Sequence, residues 1–154
     1  MSFEIDRDEL VTAVSQTLEE TAFLFVEESD GTASQWEDET IMDAKIRFFG
    51  PNTGFIDIAV DEQFAVELAA NLLGTDPTSD QACRSARDAF GELVNILCGV
   101  LLEKWFPDDA AYGMDVPKVR SLPVEEYESE TSRAGIKLTL VTDEGKRIDT
   151  VVFS

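Results

Sequence analysis

The sequence predicts an α+β fold in which long helices pack on an antiparallel-rich sheet. Three observations predict it. Paired stretches with strand alternation close on turn signals, as hairpins do. Three stretches carry apolar residues at helical spacing. No Pro-, Gly- or Ser-rich linker divides the 154 residues, so a single domain over 1–154 is expected. A chain of this length buries about 70% of its unfolded surface. Hydrophobic residues make up 44% of it, and ten Phe and two Trp supply large pieces for a core.

The elements follow in order. Leu10, Val14, Leu18 and Phe25 recur at helical spacing and predict a helix over Asp8–Glu28, with Asp6 or Asp8 able to cap its start. The polar stretch Ser29–Glu39 reads as a loop. Ile41, Ala44, Ile46 and Phe48 mark a strand over Thr40–Phe49. Gly50-Pro51-Asn52-Thr53-Gly54 is a turn, and Phe55–Val60 is the returning strand. Asp61 then opens a short helix over Glu62–Leu73, ended by Gly74. Ala82–Trp105 is a long helix, stopped by Phe106-Pro107. Lys118–Leu122 reads as a strand, and the Glu-rich stretch Pro123–Arg133 as a loop. Ile136–Val141 and Arg147–Phe153 form a last hairpin about Asp143-Glu144-Gly145-Lys146. About five or six strands are expected. Each half opens with a long helix and continues into a hairpin, an internal echo that suggests two degenerate α-β repeats.

Composition excludes several chemistries. With 32 acids against 12 bases the net charge is −20. Such a surface repels phosphate backbones and anionic lipid, so neither nucleic acid nor membrane is an expected partner; a partner must be basic, or neutral, where it docks. The charge is uneven, with 19 acids and 3 bases in residues 1–80 and 13 and 9 in the remainder. There is no histidine, which removes Ser-His-Asp and Cys-His catalysis and His-ligated metals. Cys83 and Cys98 lie fifteen residues apart on one helical pattern, about 22 Å along its axis, so they cannot bridge there and are expected as reduced core thiols. The start, MSFEIDRDEL, lacks a basic segment leading into an apolar run, and no eighteen consecutive apolar residues occur, so a cytoplasmic protein is expected.

Chemistry concentrates on the long helix. With Asp88 set at 0°, Glu92 falls at about 40°, Asn95 at about −20° and Gly99 at about 20°, a single narrow stripe. Most of the remaining surface from Ala86 to Trp105 is apolar, so most of the helix is expected to be buried, with this stripe offered to solvent or a partner. A polar stripe by itself is the ordinary way a buried helix meets water. Two residues argue for more. Asn is a poor helix former, and Gly in mid-helix costs about 1 kcal/mol against Ala. Gly99 lowers the surface beside Asn95 and lets another backbone approach. The first helix repeats part of the pattern, with Ser15, Glu19 and Ala22 at the same spacing and Val26 where Gly99 stands, so if the stripe does chemistry the second copy is the working one.

Asp88-Ala-Phe-Gly-Glu92-Leu-Val-Asn95, then twenty-one residues, then Pro117, resembles the signature of the CheC, CheX and FliY phosphatases. Members with a single full motif, the second, resemble CheX, and the degenerate Ser15/Glu19/Ala22 copy places this chain with them. The resemblance implies a CheC-like fold and a substrate, the aspartyl phosphate of a CheY-type response regulator in chemotaxis or two-component signalling. It implies that Asn95 orients the attacking water and that Glu92 pairs with the regulator's active-site Lys; Asp88, at the edge of the stripe, is expected in an orienting or docking role, and Gly99, the flat position, in binding. Pro117 shapes the loop that supports the helix. The protein needs no cofactor or metal of its own, since Mg²⁺ comes with the phosphorylated regulator. A homodimer paired along sheet edges is also implied.

Two rival readings stay open at the level of sequence. The stripe could dock on a response regulator or a motor protein as a non-catalytic binding module. Alternatively Asp57 and Asp61, at the end of a strand, could hold Mg²⁺ for an unrelated hydrolase, although Asp61 has the simpler role of a helix N-cap.

Overall fold

The computed structural model describes residues 5–29, 36–106 and 111–153. The elements run α1 (Arg7–Ala22), β1 (Val26–Glu28), β2 (Thr40–Phe49), β3 (Gly54–Asp61), α2 (Glu62–Leu73), α3 (Asp80–Trp105), β4 (Gly113–Met114), β5 (Lys118–Pro123), α4 (Val124–Thr131), β6 (Ile136–Thr142) and β7 (Arg147–Phe153). The strands form one sheet in the order β1-β6-β7-β3-β2, with β4 and β5 end to end along the outer side of β2. Every pairing is antiparallel. The α+β reading and the long helices on an antiparallel sheet are therefore what the chain adopts.

Strand periodicity sorts the side chains onto two faces. Met42, Ala44, Ile46 and Phe48 of β2, Ile56, Ile58 and Val60 of β3, and Ile148 and Val152 of β7 are buried in one cluster with Leu10, Val14 and Leu18 of α1, Phe64 and Leu68 of α2, and Phe90, Leu93, Val94, Leu97 and Leu101 of α3. The alternate residues build a smaller cluster on the other face, where Ile41, Ala59, Leu122 and Val151 pack with Tyr127 of α4. Both layers are needed to hold β5, because its two faces belong to different clusters: Val119 packs toward the helices and Leu122 toward α4.

The first helix is shorter than predicted. It ends at Ala22, Phe23 turns left-handed (φ 57°), and the Leu24 N–H reaches back to the Leu18 carbonyl. The predicted stretch to Glu28 instead supplies β1, paired with β6. Phe23-Leu24-Phe25-Val26 is a run of aromatic, Leu and Val side chains, mostly residues that favour a pleated surface, and there Phe25 lies exposed rather than in the core. The echo of the stripe thus stops within α1. Val26, expected one turn further along the helix, is a strand residue, Ala22 is buried and Glu19 exposed.

Four further expectations are corrected. The stretch Pro123–Arg133, read as a loop, contains α4, with Pro123 at its N-cap and Glu125 and Glu126 in its first turn. Seven strands are present among the described residues rather than five or six, because β1 and β4 are too short to show a period. Cys83 is exposed, and only Cys98 is a core thiol; both are free. The long helix begins two residues early, at Asp80, capped by the Ser79 hydroxyl accepting from the Ala82 N–H at 3.1 Å. Residues 30–35 of the predicted loop, and Pro107 of the predicted helix stop, lie outside the described residues.

The carboxylates proposed as an Mg²⁺ pair do not come together. Asp61 stands at the N-cap position of α2, but its side chain does not cap the helix. It accepts from the backbone N–H groups of Glu37 (3.1 Å) and Asp38 (2.9 Å), because the 36–39 turn brings two unpaired donors to it. Asp38 takes over the capping, accepting from the Gln63 N–H at 3.0 Å. Asp57, four residues earlier on the same face and so about 13 Å away along the strand, lies under α4 beside Asp43.

Asp43 is fully buried and held by Arg120 through two hydrogen bonds of 3.1 and 2.9 Å, while Arg120 also reaches Glu130 of α4. Burial first, and the Asp43 charge second, push the Asp57 carboxyl up from 3.8 to about 9, so it carries a proton at neutral pH. The unfolded chain gives up that proton above about pH 4, whereas the folded chain keeps it to about pH 9. Stability therefore falls as pH rises between those values. Asp57→Asn, whose amide can donate to Asp43 without ionising, is expected to stabilise the protein by about 1–3 kcal/mol at pH 8. The gain should shrink toward pH 4, read as the shift of the urea midpoint with pH.

Candidate active site

The site is built where a helix stripe meets a break in an edge strand. β5 pairs with Thr40–Lys45 of β2, and β4 with Phe48–Phe49. Between them the edge is interrupted at residues 115–117, where Pro117 has no N–H to give to a ladder. The Asp115 N–H still bonds the Arg47 carbonyl at 2.9 Å, so the break is held in place. It faces α3. The result is an open groove of about 410 Å³, floored by Gly91, Glu92 and Asn95 of α3 and walled by Met114–Pro117 and Val119.

Each residue singled out in the sequence can now be placed. Asp88, Glu92 and Asn95 all line the groove, and Pro117 lines its opposite wall. Asp88 and Glu92 are exposed and Asn95 is half-buried. No described side chain engages the Asn95 amide or the Glu92 carboxylate, so both are presented outward. Gly99 lies one turn beyond the groove, half-buried beside Met114. A Cβ there would sit 3.8 Å from Met114 Cε, an ordinary contact.

The close approach falls instead at Gly91, which the sequence reading passed over. A Cβ on Gly91 would lie 3.1 Å from Val119 Cγ2 and 3.9 Å from Pro117 Cγ. The missing side chain is what lets β5 and the Pro117 wall lie directly on α3. The signal was available, since Gly91 is a mid-helix glycine with the same propensity cost as Gly99. Gly91→Ala is expected to stay within about 1 kcal/mol of wild type, because helix propensity offsets a small shift of Val119. Gly91→Leu should lose about 1–3 kcal/mol by overpacking and push the wall off the stripe. Urea unfolding of the two variants checks this.

Arg87 is the second residue the sequence did not single out. Its Nη1 donates to the Val119 carbonyl at 2.9 Å and its Nη2 to Ser121 Oγ at 3.4 Å, and Ser121 in turn donates to Glu62. Arg87 thereby ties the outer edge of β5 to α3 and α2. Of the described residues lining the groove it is the one cation, against three carboxylates, Asp88, Glu92 and Asp115. The groove is therefore suited to a target that presents positive charge around its reacting group. Among the described residues no group of three His, Cys, Asp or Glu side chains comes together as a metal cage. Among them, too, no helix is long and apolar enough to cross a membrane.

Comparison with known proteins places this architecture. No curated protein sequence matches this one. Solved structures do. CheX of Borrelia burgdorferi, from a complex with CheY, BeF3 and Mg²⁺, is 17% identical at a TM-score of 0.71, over 97% of this chain and 98% of that one. CheX of Vibrio vulnificus is 18% identical at 0.66, over 99% of both chains. FliY of Thermotoga maritima is 11% identical at 0.59, over 94% of this chain and 84% of that one. At these identities the likeness speaks for the fold. The sequence profile described as chemotaxis phosphatase CheX matches residues 42–140, from β2 into β6, a span that contains the whole groove. With most of its length matched, the chain belongs to the CheX family of chemotaxis phosphatases.

Proposed function

We propose that this protein hydrolyses the aspartyl phosphate of a CheY-type response regulator, with Asn95 positioning the attacking water. The observation that carries the reading is the presentation of Asn95 and Glu92 side by side on the α3 floor of the groove, with neither engaged by a described side chain. A carboxamide can accept a hydrogen bond from water through Oδ1 while its Nδ2 donates to a phosphoryl oxygen. That double contact holds the water in line with the bond to be broken. Water oxygen then bonds to phosphorus, the phosphorus–oxygen bond to the regulator's aspartate breaks, and inorganic phosphate and a free carboxylate leave.

Everything else follows from charge. Glu92 pairs with a cationic side chain beside the regulator's phosphorylation site, the Lys that the family resemblance implies, by a charge-assisted contact that sets the register of docking. Asp88, at the end of the groove, and Gly99, one turn beyond Asn95, belong to the docking surface. Mg²⁺ enters with the regulator, as in the Borrelia burgdorferi complex of CheX with CheY, BeF3 and Mg²⁺. A cytoplasmic location goes with such a partner. The family resemblance also implies a homodimer. Arg87 occupies an outer carbonyl of β5, so β1, which ends the sheet on the other side with Phe25 exposed beside it, is the edge we assign to pairing.

The test is the lifetime of a phosphorylated receiver domain as this protein is titrated in. The reading expects a decay rate that rises and saturates with protein concentration. Binding with an unchanged lifetime would make the chain a docking module instead.

A further inference from the structure

We propose that Ile96 and Val116 form an apolar collar on either side of Asn95, which seats on apolar side chains of the receiver around its phosphorylated aspartate and sets which receivers are accepted. The inference rests on the phosphatase reading and concerns how its partner is recognised.

The sequence places Ile96 among the core residues of α3, yet it is 40% exposed, while Leu93, Val94 and Leu97 around it are buried. It stands four residues after Glu92 and so about 40° round the helix from it, on the side away from Gly91 and the wall. Val116 stands on the wall itself, in the break between β4 and β5, and is 84% exposed. Single exposed hydrophobes are commonplace on protein surfaces. These two differ in position, since they straddle the polar stripe at Asn95.

Their surroundings name the occupant. Among the described residues three carboxylates and one arginine line the groove that Val116 walls, so the centre of the contact suits a partner carrying cations about its reacting group. A metal-loaded aspartyl phosphate with a nearby Lys has that character. An anionic small molecule is disfavoured by the same lining. Apolar contacts that flank a charged centre add buried area at its rim without touching the reacting atoms. Affinity and selectivity then come from the collar, and turnover from Asn95.

The test uses full-length protein with Ile96→Ser, Val116→Ser and the double change. Binding to a BeF3-treated receiver with Mg²⁺ is titrated separately from hydrolysis of the phosphorylated receiver. Each single variant should raise Kd and KM about tenfold, the order of one buried aliphatic side chain. The kcat at saturation should stay within about twofold, and the loss should persist at high salt, unlike that of a charge contact. Val116 is almost fully exposed and its change should leave thermal unfolding in place, whereas Ile96 is partly covered, so Ile96→Ser should lower the midpoint by a few degrees and binding is read well below it. Kd and KM within twofold of wild type would overturn the collar while leaving the phosphatase reading intact. Wild type that binds without hydrolysing would defeat the phosphatase reading, and Kd would still decide the collar. Wild type that binds no receiver would overturn both.

Discussion

Asn95→Ala is expected to slow hydrolysis of the receiver's aspartyl phosphate by on the order of 10²-fold or more at saturating protein, with affinity for the BeF3-treated receiver changed by less than about threefold. The separation follows from where the side chain stands. It lines the groove and no described group holds it from within, so its removal leaves no buried partner unsatisfied. Stability should change by no more than about 0.5 kcal/mol. The loss should therefore lie in positioning the water. Asn95→Asp should fare no better, since a carboxylate cannot donate to the phosphoryl oxygen and sets a negative charge against it.

Glu92→Lys should have the complementary effect, raising KM by about 10²-fold. A hydrogen bond to a charged group is worth about 1.5–3 kcal/mol, roughly 10- to 100-fold in affinity, and reversing the sign adds repulsion to that loss. Glu92→Gln, which removes charge and keeps shape, should fall between at about tenfold. Both losses should shrink as salt rises, because the charges at the groove mouth are exposed and screened. Reading kcat and KM at two salt concentrations checks both variants together.

Most of the fold could be read before the structure because its signals are local. The β2–β3 hairpin, α2 with its Gly74 stop, α3 and the β6–β7 hairpin each carry their own period and punctuation, and all appear close to their predicted bounds. The failures are the elements whose reasons are not local. The end of α1 depends on Phe23 adopting a left-handed turn that sequence assigns to Gly or Asn. The helix α4 has only Tyr127 and Thr131 buried, too few to show a period, and its place is fixed by long-range partners, Tyr127 on Asp149 and Glu130 on Arg120.

The candidate site divides in the same way. The stripe Asp88, Glu92, Asn95 was legible because helix geometry alone puts the three residues together. The wall was not. That Pro117 interrupts an edge strand beside Asn95 depends on β5 pairing with a strand more than seventy residues earlier in the chain. The importance of Gly91 over Gly99 depends on which side of α3 that strand lies. Arg87 gave no signal, because its partners are a carbonyl and a hydroxyl on β5. Ile96 was misassigned to the core for a related reason: the residues around it are apolar, and only the packed arrangement leaves it uncovered.

The most direct test of the central claim is the decay of aspartyl phosphate on a receiver from the same organism at saturating protein, with wild type and Asn95→Ala side by side. The account predicts fast decay with wild type and decay close to the receiver's own rate with Asn95→Ala. Equal acceleration by both, or none by wild type despite binding, would contradict it.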